Sequence, residues 1–97
     1  MYTSGVWNVK PGCEDDFVRG WQTGVDRMSP DLTGVTFRLL RDREIPSRFL
    51  SVAGPWRNQE QWDAIRASEG FQESVSTMAQ LLDSYEIAIH DLVAEVS

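Results

Sequence analysis

The order of strand-like and helix-like segments along the chain leaves few folds open. Alternating apolar and polar residues are typical of β-strands, because neighbouring side chains on a strand point to opposite faces. This alternation predicts four strands, at residues 3–9, 35–40, 49–53 and 85–89. The alternation of the last strand slips at His90, which predicts a β-bulge or a change of neighbouring strand at that point.

Two helical regions separate the strands. The first follows the acidic residues 14–16, which favour the start of a helix, and is predicted to end at Ser29-Pro30-Asp31. Gly20 and Gly24 predict that this helix lies close against the sheet. Its apolar stripe has spacings of four, four and three residues and consists of Phe17, Trp21, Val25 and Met28.

The second helical region is predicted to be broken in two. Asn58 with Gln61 three residues later resembles a capping box and opens a short helix. Ser68 is the predicted cap of a further helix, whose apolar stripe runs from Phe71 to Leu82.

The resulting order, β-α-β-β-α-β, predicts an α+β fold, a ferredoxin-like sandwich with its helices on one face of an antiparallel sheet. Helices on one side cover only one face of a sheet. The strands nevertheless carry apolar residues on both faces, as Val6 beside Trp7 and Leu50 beside Phe49 show. We therefore expect a second copy of the chain to bury the other face, which makes the protein a homodimer.

Composition excludes several classes of function. The 97 residues suffice for one domain, 1–97, and 41% hydrophobic with 25% charged residues is typical of a soluble globular protein. The net charge of −6 argues against nucleic acid and anionic membranes as partners, because phosphate groups bind to basic surfaces. No apolar run in the sequence approaches the ~20 residues of a membrane span. A single cysteine, Cys13, and no visible signal peptide predict a cytoplasmic protein.

A series of short motifs runs through nearly the whole chain. They are WNVKPG at 7–12, Glu14, Phe17, RLLRD at 38–42, Pro46, FLSV at 49–52, Trp56, RAS at 66–68 and Phe71. In this order and spacing they resemble the antibiotic biosynthesis monooxygenase family. The resemblance implies a dimeric α+β barrel in which two sheets face each other, with a small-molecule pocket between each sheet and its helices. It also implies, as in some members, an oxygenase reaction without metal or flavin.

The resemblance carries over only some site positions. In the branch that oxidises aromatic polyketides to quinones, a Trp follows the third strand, as Trp56 does here. The tyrosine of that branch six positions later corresponds to Trp62, so the position keeps an aromatic ring but not the tyrosine. The Asn and the helical Arg of that branch correspond to Val52 and Ser76, which lack those functional groups. The Trp and His of the heme-degrading branch are not matched, which argues against heme degradation.

Common metal, nucleotide and hydrolase motifs are absent from the sequence. With one His and one Cys, the chain cannot form a zinc site of the usual type, and it has neither a CxxC nor an HExxH motif nor a glycine-rich phosphate loop. No GxSxG elbow accompanies His90. We therefore expect no metal and no cofactor.

Tryptophans are the first group of candidate site residues. Trp56 follows a strand and Trp62 lies about one helical turn past the Asn58 cap, where the mouth of a pocket would form. Trp7 lies on the first strand, and Trp21 belongs to the stripe of the first helix and is predicted to be core. Indole rings suit planar phenolic substrates, and they suit an apolar core equally well.

Polar residues on strands are the second group. Asn8 and Arg38 have the alternation phase opposite to the main apolar residues, which suits substrate orientation, a dimer contact or exposure to solvent. His90 can act as a general base near neutral pH or be an exposed structural residue. Together with the tryptophans, the predicted catalytic residues are Asn8, Trp56 and His90, and the predicted substrate-binding residues are Trp7, Arg38 and Trp62.

Three functions remain open on the sequence alone. One is a cofactor-independent monooxygenase for a small aromatic substrate of phenolic or polyketide type, which requires a dry pocket, a proton acceptor and an orienting donor. The second is a dimer that binds a small molecule without catalysis. The third is an isomerase or cyclase that uses the same pocket and consumes no oxygen.

Overall fold

The computed structural model describes residues 1–28 and 32–97, and this part of the chain forms four strands and three helices. In chain order they are β1 (Tyr2–Val9), α1 (Glu14–Met28), β2 (Thr36–Arg41), β3 (Arg48–Gly54), α2 (Gln59–Ala67), α3 (Glu69–Ala79) and β4 (Leu82–His90). The predicted α+β, ferredoxin-like arrangement is confirmed, with the second helical region divided into α2 and α3. The predicted end of the first helix, Ser29-Pro30-Asp31, lies outside the described residues.

The strands form one antiparallel sheet with the order β2-β3-β1-β4. Directly paired residues lie on the same face of a sheet, so the register assigns every side chain to a face. Trp7 pairs with Phe49 of β3 on the face that packs against the helices, which we call the helix-covered face. Val6 pairs with Leu50 of β3 and Glu86 of β4 on the opposite face, which we call the outer face.

Buried side chains between the helix-covered face and the helices form the core. They belong to two clusters, the first made of Trp7, Val9, Phe17, Phe49, Met78 and Leu82 and the second of Leu32, Ala53, Trp56 and Trp62. Phe17 of α1 is fully buried, and its ring centroid lies 5.1 Å from that of Phe49 and 5.8 Å from that of Trp7. Burial of this apolar surface is the main term that stabilises the fold.

Side-chain caps begin α2 and α3 as the sequence predicts. Asn58 accepts a hydrogen bond from the Gln61 N–H at 2.9 Å, and Ser68 accepts one from the Phe71 N–H at 3.3 Å. These bonds satisfy N–H groups that have no partner within the helix. The Ser68 hydroxyl also donates to the Ile65 carbonyl, so the residue that ends α2 begins α3.

The two glycines of α1 differ from expectation, because they contact α3 and not the sheet. A Cβ at Gly24 would lie 3.0 Å from Ser74 Oγ, and a Cβ at Gly20 would lie 3.4 Å from Met78. Large side chains from the strands fill the space between α1 and the sheet, whereas a small residue is required where the two helices cross closely.

The start of β4 also differs from expectation. Leu82 begins this strand and is not part of the last helical stripe, because α3 ends at Ala79. The irregular pairing lies here and not at His90: Asn8 of β1 pairs with Ser84, the next residue of β1 pairs with Leu82, and Asp83 is left as an extra residue. An extra residue of this kind is typical of a β-bulge.

The outer face is only partly shielded from solvent in the single chain. Val6 and Leu50 are each 38% exposed and Leu40 is 50% exposed. These three side chains lie side by side, because Val6 and Leu40 both pair with Leu50. Among the helices of residues 1–28 and 32–97, none is long and apolar enough to cross a membrane.

Candidate functional site

A cavity of about 80 Å³ lies between the helix-covered face and the helices. All seven elements contribute to its lining. The lining includes the four tryptophans of the chain, Trp7, Trp21, Trp56 and Trp62. The structure thus brings together the three tryptophans that the sequence singles out as candidates, although the first two lie 49 positions apart in the chain.

Trp7 is held flat along the sheet by its neighbours on the helix-covered face. A Cβ at Gly5 would come within 2.7 Å of the indole ring, so only glycine leaves room for the ring at this position. The indole N–H donates to Ser51 Oγ at 2.9 Å, and Ser51 is the residue of β3 that pairs with Gly5. The ring also stacks on Tyr85 of β4, with 5.4 Å between the centroids.

Trp56 follows β3 and closes one end of the cavity. Its backbone N–H donates to the Met1 carbonyl at 2.8 Å, and its indole N–H donates to Thr3 Oγ1 at 3.1 Å. Thr3 is buried on β1, where water cannot reach it. The hydrogen bond therefore satisfies a buried hydroxyl and a buried N–H that would otherwise have no partner. The ring meets Phe37 of β2 at right angles, with centroids 6.0 Å apart.

Trp62 of α2 lies beside Trp56 and is 5% exposed. The two ring centroids are 5.2 Å apart, and Phe71 of α3 meets the Trp62 ring at right angles at 5.7 Å. The buried Trp62 indole N–H has no hydrogen-bond acceptor among the described residues. A buried donor without an acceptor is uncommon, because it loses its hydrogen bond to water and gains none in return.

Polar groups in the described lining are uncharged. Hydroxyl groups come from Thr3, Ser51 and Ser74, whereas the Ser4 hydroxyl is bonded to His90 on the outer face. The described lining contains no Asp, Glu, Lys, Arg, His, Cys or Tyr. It therefore offers neither a strong proton acceptor nor a counter-ion for a buried charge. The described residues also contain no group of three or more His, Cys, Asp and Glu that could hold a metal ion.

The three polar candidates lie on the outer face, so the sheet separates them from the cavity. Asn8 donates to Ser84 Oγ at 2.9 Å, and His90 Nε2 lies 2.6 Å from Ser4 Oγ. Arg38 is exposed on β2, and its neighbours in the strand, Phe37 and Leu39, are the ones that turn toward the helices. The structure does not unite all six predicted residues in one site, because alternate residues of a strand point in opposite directions.

Sequence reasoning missed Gly5, Thr3 and Ser51. Gly5 and Thr3 share the alternation phase of Trp7, which is a signal that was available in the sequence. Ser51 is different, because its contact with Trp7 depends on the pairing register of β1 and β3. That register is a property of two strands and not of either one.

Asp42, outside the cavity lining, carries a perturbed carboxyl group in the β2–β3 loop. A hydrogen bond from Arg48 at 2.8 Å and two from the backbone N–H groups of Ile45 and Glu44 stabilise its charged form. In that order, they lower the pKa of Asp42 from 3.8 to about 2. Asp42 is not part of the cavity lining, so its charge does not enter the cavity.

The model of the antibiotic biosynthesis monooxygenase family matches residues 2–77. This range contains every residue of the described cavity lining except Met78 and Ile87. Among curated proteins, no sequence matches the chain.

Several solved structures share the fold. An antibiotic biosynthesis monooxygenase is 17% identical, with a TM-score of 0.82 over 96% of this chain and 98% of its own. A Nitrosomonas europaea protein proposed to be such a monooxygenase is 18% identical, with a TM-score of 0.80 over 97% of this chain and 100% of its own. A conserved protein from Methanosarcina mazei Go1 is 19% identical, with a TM-score of 0.80 over 92% of this chain and 88% of its own. At such identities the likeness concerns the fold.

Proposed function

Since the chain belongs to the antibiotic biosynthesis monooxygenase family, we propose that it is a monooxygenase-like protein that binds a small aromatic molecule of phenolic or polyketide type in this cavity. The observation that carries the proposal is the convergence of three buried tryptophans, Trp7, Trp56 and Trp62, on one cavity. A lining rich in aromatic and apolar side chains with few polar groups is typical of sites for such ligands.

The proposed reaction draws all its electrons from the substrate. In an anthrone, the methylene carbon loses two hydrogens and gains one oxygen atom, while the second atom of O₂ leaves as water. This conversion supplies the four electrons that O₂ accepts, so the balance needs no further reductant. The contribution of the protein is then to hold the substrate in a dry, oriented state.

Ligand entry requires the cavity to expand. Its volume of about 80 Å³ is below the roughly 150 Å³ of an engineered cavity in another protein that binds benzene. Two methionines, Met28 and Met78, belong to the lining, and their unbranched side chains adapt to neighbours of different shape. We propose that they move when a ligand binds.

Binding without turnover is the second candidate, and the uncharged lining favours it. Deprotonation of a phenol or anthrone by the enzyme requires a base within hydrogen-bond reach, and the described lining contains none. The same observation argues against the isomerase or cyclase, which also has to move a proton.

The outer face supports the proposal of a homodimer. Its exposed Val6, Leu40 and Leu50 form an apolar surface that a second copy of the chain would cover, as the family resemblance implies. We propose that Asn8, with its Ser84 partner, belongs to this interface and not to the site of chemistry.

We assign the other two polar candidates to the same interface. Arg38 and His90 lie on the outer face and are exposed in the single chain, and His90 is hydrogen-bonded to the Ser4 side chain. The cytoplasmic location inferred from the sequence stays a prediction.

Oxygen uptake by the purified, metal-free protein tests the activity directly. A panel of anthrones and hydroquinones should give uptake above spontaneous autoxidation, and Trp56→Ala and Trp62→Ala should each reduce it. Val93→Ala is the control, since Val93 is 94% exposed and distant from the cavity lining. If calorimetry shows binding but no uptake occurs, the protein binds its ligand without oxidising it. If no member of the panel binds, the proposed ligand class is wrong.

A further inference from the structure

The three tryptophans of the proposed site differ in how their indole N–H groups are satisfied. Trp7 donates to Ser51 and Trp56 donates to Thr3, so both of these rings are locked by the protein itself. The Trp62 N–H is buried and has no acceptor among the described residues. Within residues 1–28 and 32–97, one hydrogen-bond donor of a lining residue is therefore without a partner.

We propose that Trp62 Nε1 donates to an oxygen atom of the ligand, and that this ligand is a neutral aromatic carbonyl compound. The inference rests on the proposed function, because it names the ligand class of the same cavity. A carbonyl oxygen is a pure acceptor, and it supplies what the indole N–H lacks.

The lining determines that the ligand is neutral. A carboxylate or phosphate in this cavity would lose its water, and the described lining contains no Lys, Arg or His to compensate its charge. One indole N–H replaces only a small part of the hydration of an anion. A ketone loses far less hydration free energy than an anion on entering the cavity, so a single hydrogen-bond donor is enough to compensate the loss.

The surroundings of Trp62 explain why the rest of the ligand is aromatic. Trp56 and Phe71 flank the indole, with ring centroids at 5.2 and 5.7 Å. Any ring that carries the accepted oxygen therefore lies against aromatic surfaces. The Asn58 cap and the packing of α2 against α3 hold the helix that carries Trp62 in place before a ligand arrives.

Two ligands that differ only in the acceptor provide the test. 1-Tetralone has a carbonyl where tetralin has a methylene group, and 1-naphthoate adds a negative charge to a ring system of similar size. Calorimetry gives the affinity of each for the wild type, Trp62→Phe and Trp56→Phe. In parallel, ¹H–¹⁵N spectra follow the four indole N–H signals, which single Trp→Phe variants assign.

We expect the tetralone-to-tetralin affinity ratio to fall about threefold to tenfold in Trp62→Phe. This factor corresponds to the net free energy of one neutral hydrogen bond. Trp56→Phe should weaken the binding of both ligands and leave the ratio of their affinities unchanged, since the Trp56 N–H already donates to Thr3. The Trp62 indole proton signal should move downfield with tetralone and not with tetralin. Substitution of Trp62 by 3-benzothienylalanine, which keeps the ring shape and removes the N–H, should reproduce the loss.

Each contrary result has a separate meaning. An unchanged ratio in Trp62→Phe overturns the assigned donor but leaves the aromatic cavity intact. Binding of 1-naphthoate as tight as that of tetralone overturns the neutral ligand class. If neither tetralin nor tetralone perturbs any indole signal, the proposed function itself is wrong.

Discussion

The two faces of the sheet are built from the same four strands and have opposite characters. On the helix-covered face, Trp7 and Phe49 are buried and the indole N–H of Trp7 is bonded to Ser51. On the outer face, their sequence neighbours Val6 and Leu50 remain exposed in the single chain. The comparison indicates that one set of alternate residues forms the cavity and the other set forms the surface for assembly. A one-residue slip in register would exchange the two.

Polar groups on the two faces differ in the same way. Inside, Thr3 accepts from Trp56 in a buried hydrogen bond. Outside, Ser4 and His90 form an exposed pair, only one residue further along β1. Because solvent competes with the exposed pair, we expect only the buried one to contribute measurably to stability.

The largest expected effect is on assembly. The double variant Leu40→Glu with Leu50→Glu places two negative charges on the outer face and should convert a dimer into a monomer of 11.0 kDa in sedimentation experiments at micromolar concentration. Ile45→Glu is the matched control, because Ile45 is 44% exposed but lies in the β2–β3 loop. A wild-type chain that already sediments as a monomer would contradict the proposed role of the outer face.

The next effect is on the core. Phe17→Ala should lower the free energy of unfolding by about 3–5 kcal/mol, because it removes a fully buried ring that contacts Trp7 and Phe49. In the dissociated background, Val6→Ala on the outer face should cost less than about 1 kcal/mol. Urea unfolding measures both free energies, and similar losses would mean that the two faces contribute equally to the stability of the single chain.

A smaller effect separates two adjacent residues of β1. Thr3→Val leaves the Trp56 N–H without its acceptor and should cost about 1–3 kcal/mol in urea unfolding. Ser4→Ala removes an exposed partner of His90 and should leave the unfolding free energy within about 0.5 kcal/mol of wild type. A larger loss for Ser4→Ala would show that the exposed hydrogen bond between Ser4 and His90 also stabilises the fold, contrary to this expectation.

The smallest effect is on pH dependence. The pKa of Asp42 is lowered to about 2, so its charged form stabilises the folded chain above pH 4 or so, and this contribution is lost as the pH falls from about 4 to about 2. Asp42→Asn should flatten that part of the stability curve. Arg48→Gln should move the carboxyl titration, followed by NMR, back toward its ordinary range; an unmoved titration would assign the shift to the backbone N–H groups alone.

The elements and their faces are predictable because they depend on neighbours in sequence. Val6 and Trp7 lie on opposite faces of β1 as their alternation predicts, and the caps Asn58 and Ser68 begin helices as their side chains predict. The same rule also places Asn8 opposite Trp7. The alternation of β1 alone therefore gives no support to the prediction that Asn8 lies in the ligand pocket.

Contacts between elements are what the sequence leaves undetermined. The partner of the Trp7 N–H depends on the register of β1 and β3, and the position of His90 depends on an extra residue at Asp83, near the far end of β4. Among the described residues, the Trp62 indole N–H has no acceptor, and this depends on all the side chains packed around it. No periodicity predicts an unpaired donor, because it arises only after the helices have docked on the sheet.

The position of Trp7 over Gly5 also makes this residue a natural reporter of folding. Its ring bonds to Ser51 of β3 and stacks on Tyr85 of β4 from its own position on β1. Both contacts form only when the three strands are in their native register. The Trp7 ring also lies 5.8 Å from Phe17 of α1. In a variant that retains Trp7 as its only tryptophan, the emission spectrum would therefore time the joint closure of the central sheet and docking of α1 during refolding.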